Sequence, residues 1–126
     1  MNKRPQAVTD AELAVLKVLW QEGPQTAKAL TEAIYPGGGD SEFGSIHSFL
    51  QRLERKGLVT RDRRSVVHLF SATASQADVA NSELEKLADR LGDGSIAPLI
   101  MHLVEGKRLT KKEAAEIKKL LDRYTK

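Results

Sequence analysis

The stretch from Ser41 to Phe70 constrains this chain more than any other, because an amphipathic helical pattern runs directly into a short, basic hairpin. Phe43, Ile46, Phe49, Leu50 and Leu53 fall within roughly a 120° arc at helical periodicity. They predict a helix opening at Ser41 or Glu42 and running to Lys56, and Gly57 is placed to end it in a left-handed cap. Two strands are predicted next, Leu58 to Arg61 and Val66 to Phe70, with Arg63-Arg64-Ser65 at the tip. Val66-Val67-His68-Leu69-Phe70 is too short and too β-branched to prefer helix.

Two helices are predicted upstream. Thr9-Asp10-Ala11-Glu12 has the form of a capping box, and Leu13, Leu16, Leu19 and Trp20 share one face of the helix that follows to about Gln21. Gly23-Pro24 stops it. Thr26 caps a second helix, Ala27 to about Tyr35, and Pro36-Gly37-Gly38-Gly39-Asp40 makes a turn. Downstream, Ser75 to Asp78 is a second capping box, opening a helix that carries Leu84, Leu87 and Leu91, and Gly92-Asp93-Gly94 breaks it. Ser95 caps a short helix with Ile96, Leu99, Ile100 and Leu103. Thr110 to Glu113 opens the last, with Ile117, Leu120, Leu121 and Tyr124.

The expected fold is therefore mainly α with a small β-hairpin wing: a winged helix-turn-helix over residues 1–72, then a three-helix segment over 73–126. About 50 residues is near the limit for independent folding. The stripe of Leu84, Leu87, Leu91, Ile96, Leu99, Ile100, Leu103, Ile117, Leu120 and Leu121 needs a partner surface, and a two-fold homodimer supplies one.

With the apolar arc of the third helix turned inward, its opposite face presents Gly44, Ser48, Gln51 and Arg55, flanked by Ser45, His47 and Arg52. Gln pairs with adenine and Arg with guanine, and Ser serves either base, so Gly44, Ser45, His47, Ser48, Gln51 and Arg52 are the expected base-reading set. Arg55, Arg61, Arg63 and Arg64 suit the phosphate backbone of double-stranded DNA. Six basic residues against three acidic ones give the window from Glu42 to Arg64 a net charge of +3, as much as the whole chain carries.

Other chemistries find little footing. There is no cysteine, which excludes disulfides and thiolate metal sites. His47, His68 and His102 lie far apart in sequence, no phosphate loop follows a strand, and no nucleophile elbow occurs. No metal, cofactor or enzymatic activity is expected. Met1-Asn2-Lys3-Arg4-Pro5 leads into no long apolar run, so a cytoplasmic protein is expected. Two readings of the same architecture stay open: a protein-docking winged helix, and a regulator that senses a small ligand.

The chain resembles the penicillinase repressors, the BlaI/MecI/CopY group. The resemblance is carried by Thr9 through Trp20, Gly23-Pro24-Gln25-Thr26-Ala27, Ser45 through Leu53, Lys56-Gly57-Leu58-Val59 and Leu103-Val104-Glu105. It implies a winged-helix dimer that binds a palindromic operator and represses genes, with the C-terminal helices of two chains interlocked. It also places base contacts at Ser45, His47 and Ser48. In the penicillinase branch a membrane sensor protease leads to cleavage of an Asn-Phe bond, and His102-Leu103 stands at that place here. Gly44 and His47 stand where the group often has basic residues, and the cysteine motif of its copper-responsive branch is absent.

Overall fold

A computed structural model describes residues 7–91 and 94–125. Its elements are α1 (Asp10–Glu22), α2 (Ala27–Ile34), α3 (Asp40–Arg55), β1 (Val59–Asp62), β2 (Leu69–Ala72), α4 (Gln76–Leu91), α5 (Ala97–Glu105) and α6 (Lys111–Tyr124). This is the mainly helical chain with one antiparallel hairpin that the periodicities predict.

Local chemistry sets most element ends. At α1 the Thr9 hydroxyl accepts from the Glu12 amide at 3.2 Å, and the Glu12 carboxylate accepts from the Thr9 amide at 3.0 Å. Thr26 caps α2 through the Ala29 amide. α3 starts slightly earlier than predicted, because Glu42 reaches back to the Gly39 amide at 2.8 Å and so fixes the first turn at Asp40. It ends as predicted. Gly57 has φ +78°, its amide donates to Glu54 O, and the Leu58 amide donates to Leu53 O. Leu53 and Leu58, brought together by this motif, are both buried.

The chain forms two compact units, divided between Glu83 and Leu84. In the first, Val15, Leu16 and Leu19 of α1, Leu30 of α2, and Ile46, Leu50 and Leu53 of α3 are buried in one core with Leu58, Val59 and Phe70. The division falls beyond residue 72 because the start of α4 belongs to this unit. Trp20 Nε1 donates to Ala74 O at 2.9 Å, Val79 is buried, and Glu83 accepts from the Val8 amide.

The hairpin differs from expectation in register. β1 pairs with β2 so that Val59 faces Ala72 and Asp62 faces Leu69, four residues on each strand. The predicted strand from Val66 is instead a loop over 63–68, with Val66 fully exposed. Two causes act together. Asp62 captures the Arg64 amide at 3.0 Å, a side-chain turn that ends pairing. Phe70 is buried and exchanges both backbone hydrogen bonds with Gln25, which anchors the second strand nearer the α1–α2 connection.

In the second unit Gly92 and Asp93 of the predicted break lie outside the described residues, while Gly94 takes φ +86°. The Thr110–Glu113 capping box opens α6. Of the ten apolar residues expected to need a partner, Leu84, Leu87, Leu91, Ile100, Leu103, Ile117, Leu120 and Leu121 are exposed, and Ile96 and Leu99 are half-buried. Met101, Val104 and Tyr124 extend this apolar surface. His102 and Leu103 lie inside α5 with both side chains exposed.

Candidate nucleic-acid interface

α3 presents two faces of opposite character. Ile46, Leu50 and Leu53 point into the core, and Gly44, Ser48, Gln51 and Arg55 are all exposed on the other side. A helix so oriented offers short donors and acceptors on a surface that no other element of this unit covers. Gly44 has no atom within 4 Å of where a Cβ would stand, so no clash within the protein requires glycine there.

The flanking residues are more engaged than their sequence positions suggested. Ser45 is half-buried and its hydroxyl donates to Ser41 O at 3.2 Å. His47 packs edge-on against Phe43, ring centroids 4.6 Å apart. Phe43 was expected inside, yet it lies at the edge of the apolar arc and remains exposed.

Arg52, expected to read bases, is exposed but drawn back onto α1. Its Nε donates to Glu12 Oε2 at 3.2 Å, and its guanidinium lies 5.2 Å from the Phe49 ring centre. Lys56, one turn on, donates to Glu12 Oε1 at 2.6 Å and to Ala7 O at 2.8 Å. Glu12 is fully buried. Burial works to raise its pKa, but hydrogen bonds from Lys56, the Thr9 amide and Arg52, with the charge of Lys56, outweigh it and leave the carboxyl below its ordinary range. One carboxylate thus caps α1 and ties it to α3, so it sets the attitude of the outward face.

The wing arginines are also paired. Glu54 accepts from Arg61 at 3.0 Å and from Arg63 at 3.5 Å, and Arg61 lies 4.8 Å from the Phe70 ring centre. Arg64 grips Asp62 through its side chain and amide, which holds the Asp62 carboxyl at about 2 and raises Arg64 itself. Arg55 is exposed and makes no ion pair among the described residues. Gln51, Glu54, Arg55, Arg61 and Arg63 line one open cleft between α3 and the wing.

The fold therefore brings Gln51, Arg55, Arg61 and Arg63 together, and sets Arg64 apart on the exposed loop. Sequence reasoning missed the roles of Glu12, Lys56 and Glu54. Only the capping-box position of Glu12 was visible, and nothing local pairs it with residues 40 and 44 places away. Among the described residues no three histidines or carboxylates gather as metal ligands, and no helix is long and apolar enough to cross a membrane.

The chain matches the family described as penicillinase repressor over residues 8–123. It is 23% identical to the penicillinase repressor of Bacillus licheniformis over 124 residues, 98% of this chain and 95% of that one. It is 31% identical to the transcriptional regulator BlaI of Mycobacterium tuberculosis over 98 residues, 76% of this chain and 70% of that one. The solved DNA-binding domain of the repressor BlaI is 25% identical, with a TM-score of 0.49 over 62% of this chain and 93% of that domain.

Proposed function

Because the chain belongs to the penicillinase repressor family, whose members are transcriptional repressors and not enzymes, we propose that it represses transcription in the cytoplasm by binding a palindromic operator as a homodimer. α3 enters the major groove, and the wing meets the adjoining backbone. The observation that carries this reading is the outward face of α3. Gly44, Ser48, Gln51 and Arg55 are exposed together on a helix whose other side is locked in the core. Ser48 and Gln51 are the principal base readers, with Ser45 and His47 beside them and Gly44 admitting the duplex edge. Arg55, Arg63 and Arg64 serve phosphates, Arg61 braces the wing on Glu54, and Arg52 supports the helix from behind through Glu12.

Residues 1–72 hold the DNA-reading elements, and 73–126 supply dimerisation through the exposed apolar surfaces of α4, α5 and α6. Two such chains around a two-fold axis would match a two-fold operator.

Binding to promoter DNA and to random duplex, each over a salt titration, tests this. Arg64→Ala weakens both alike and flattens the log–log salt slope by about 0.9 for each phosphate left without its cation. Gln51→Ala costs about 1–3 kcal/mol on the preferred sequence alone. Equal losses on both duplexes for Gln51→Ala refute the base-reading role. Salt-independent binding refutes the phosphate role.

A further inference from the structure

Among the described residues Glu54 is the one acid lining the cleft between α3 and the wing, and it holds two arginines in unequal ways. Arg61 is 17% exposed, rests on buried Phe70, and donates to Glu54 Oε1 at 3.0 Å. Arg63 is 63% exposed and reaches Oε2 only at 3.5 Å. The first pair is a fixed strut between helix and wing; the second is a loose contact at the mouth of the cleft. Arg55 and Gln51 line the same opening.

A carboxylate and a phosphodiester both offer a guanidinium two oxygens in a forked arrangement. With α3 in a groove and the wing against the backbone, as the proposed function has it, this cleft faces a phosphate. We propose that Glu54 is an internal stand-in for that phosphate. Arg63 exchanges Glu54 for a phosphodiester on binding, while Arg61 stays on Glu54 and keeps the wing in place. Glu54 thereby lowers affinity for any duplex, because Arg63 must leave an anion to gain one and a carboxylate remains near the phosphate. The penalty is independent of sequence, so base preference, set by Gln51 and its neighbours, is untouched. The inference rests on the DNA-binding reading.

Glu54→Gln tests it, since the amide oxygen still accepts from Arg61 but no longer carries the charge that holds Arg63. Arg63 meets the phosphate in parent and variant alike, so the log–log salt slope is unchanged; what disappears is the cost of leaving an exposed ion pair, worth up to about fivefold in an equilibrium constant. The probe is a labelled random-sequence duplex, read by fluorescence anisotropy. Expected is tighter binding of up to that factor at an unchanged slope, while Arg63→Ala flattens the slope by about 0.9 per protomer and removes the gain. No gain from Glu54→Gln, or an equal gain when Arg63→Ala is already in place, overturns the proposal. If the unsubstituted chain binds no duplex at all, the DNA-binding reading itself falls, so the two failures are distinguishable.

Discussion

Replacing Glu12 with Gln isolates the charge at the α1–α3 junction with little change in volume. The amide oxygen still accepts from the Thr9 amide, as Gln does in other capping boxes, so α1 keeps its start. What is lost is the anion between Arg52 at 3.2 Å and Lys56 at 2.6 Å. Removing one partner of a buried ion pair costs about 3–5 kcal/mol where the survivor stays trapped. Here the survivors are better placed. Arg52 is 45% exposed and can turn to water, and Lys56, though 16% exposed, keeps Ala7 O as an acceptor. A loss of about 2 kcal/mol follows, below the trapped-charge range, or roughly 8–16 °C in melting temperature for a unit of this size. Circular-dichroism melts at one fixed protomer concentration measure it, since dimer stability depends on concentration. The pH dependence supplies a second reading. A carboxyl held below its ordinary value contributes stability that is complete above the unfolded pKa, near 4.5, and is lost as pH falls through the lower folded value. The gap between parent and variant should therefore close as pH drops below about 4.5. A variant within about 0.5 kcal/mol of the parent at neutral pH, the range of ordinary surface changes, or a gap that persists in acid, refutes the assignment.

Gly57→Ala should cost about 1–2 kcal/mol from left-handed backbone alone, because φ is +78° and no atom lies within 4 Å of the added methyl; thermal melts check it, and no loss would mean the αL cap is dispensable. Leu120→Glu places a charge in the exposed α6 stripe of Ile117, Leu120, Leu121 and Tyr124. Sedimentation equilibrium should show the parent as a dimer at micromolar concentration and the variant shifted to monomer; a folded parent monomer under those conditions removes the dimer from the proposal.

Much of the fold was legible because its signals are local. Thr9, Thr26, Ser75 and Thr110 each satisfy an amide within three residues, and Gly57 needs only its own φ. The outward set on α3 was legible for the same reason, since helical periodicity alone puts Ile46, Leu50 and Leu53 opposite Gly44, Ser48, Gln51 and Arg55. The wing was less legible. A β-branched run at Val66 signals strand propensity, but pairing is decided by what lies across from it, and Asp62 had already turned the chain.

By itself, then, the sequence determined three helices, a basic hairpin and an exposed polar face on the third helix, together with apolar stripes too large for the C-terminal helices to bury. Each follows from residues within one or two turns of one another. Tertiary structure decided how the charges are used. Arg52, Arg61 and Arg63 read alike in sequence as cations available to DNA, yet Glu12 holds the first and Glu54 the other two. A salt bridge depends on which side chains come within about 4 Å. For Arg52 and Lys56 that was set by the packing of α1 on α3, and for Arg61 and Arg63 by the seating of the wing beside α3.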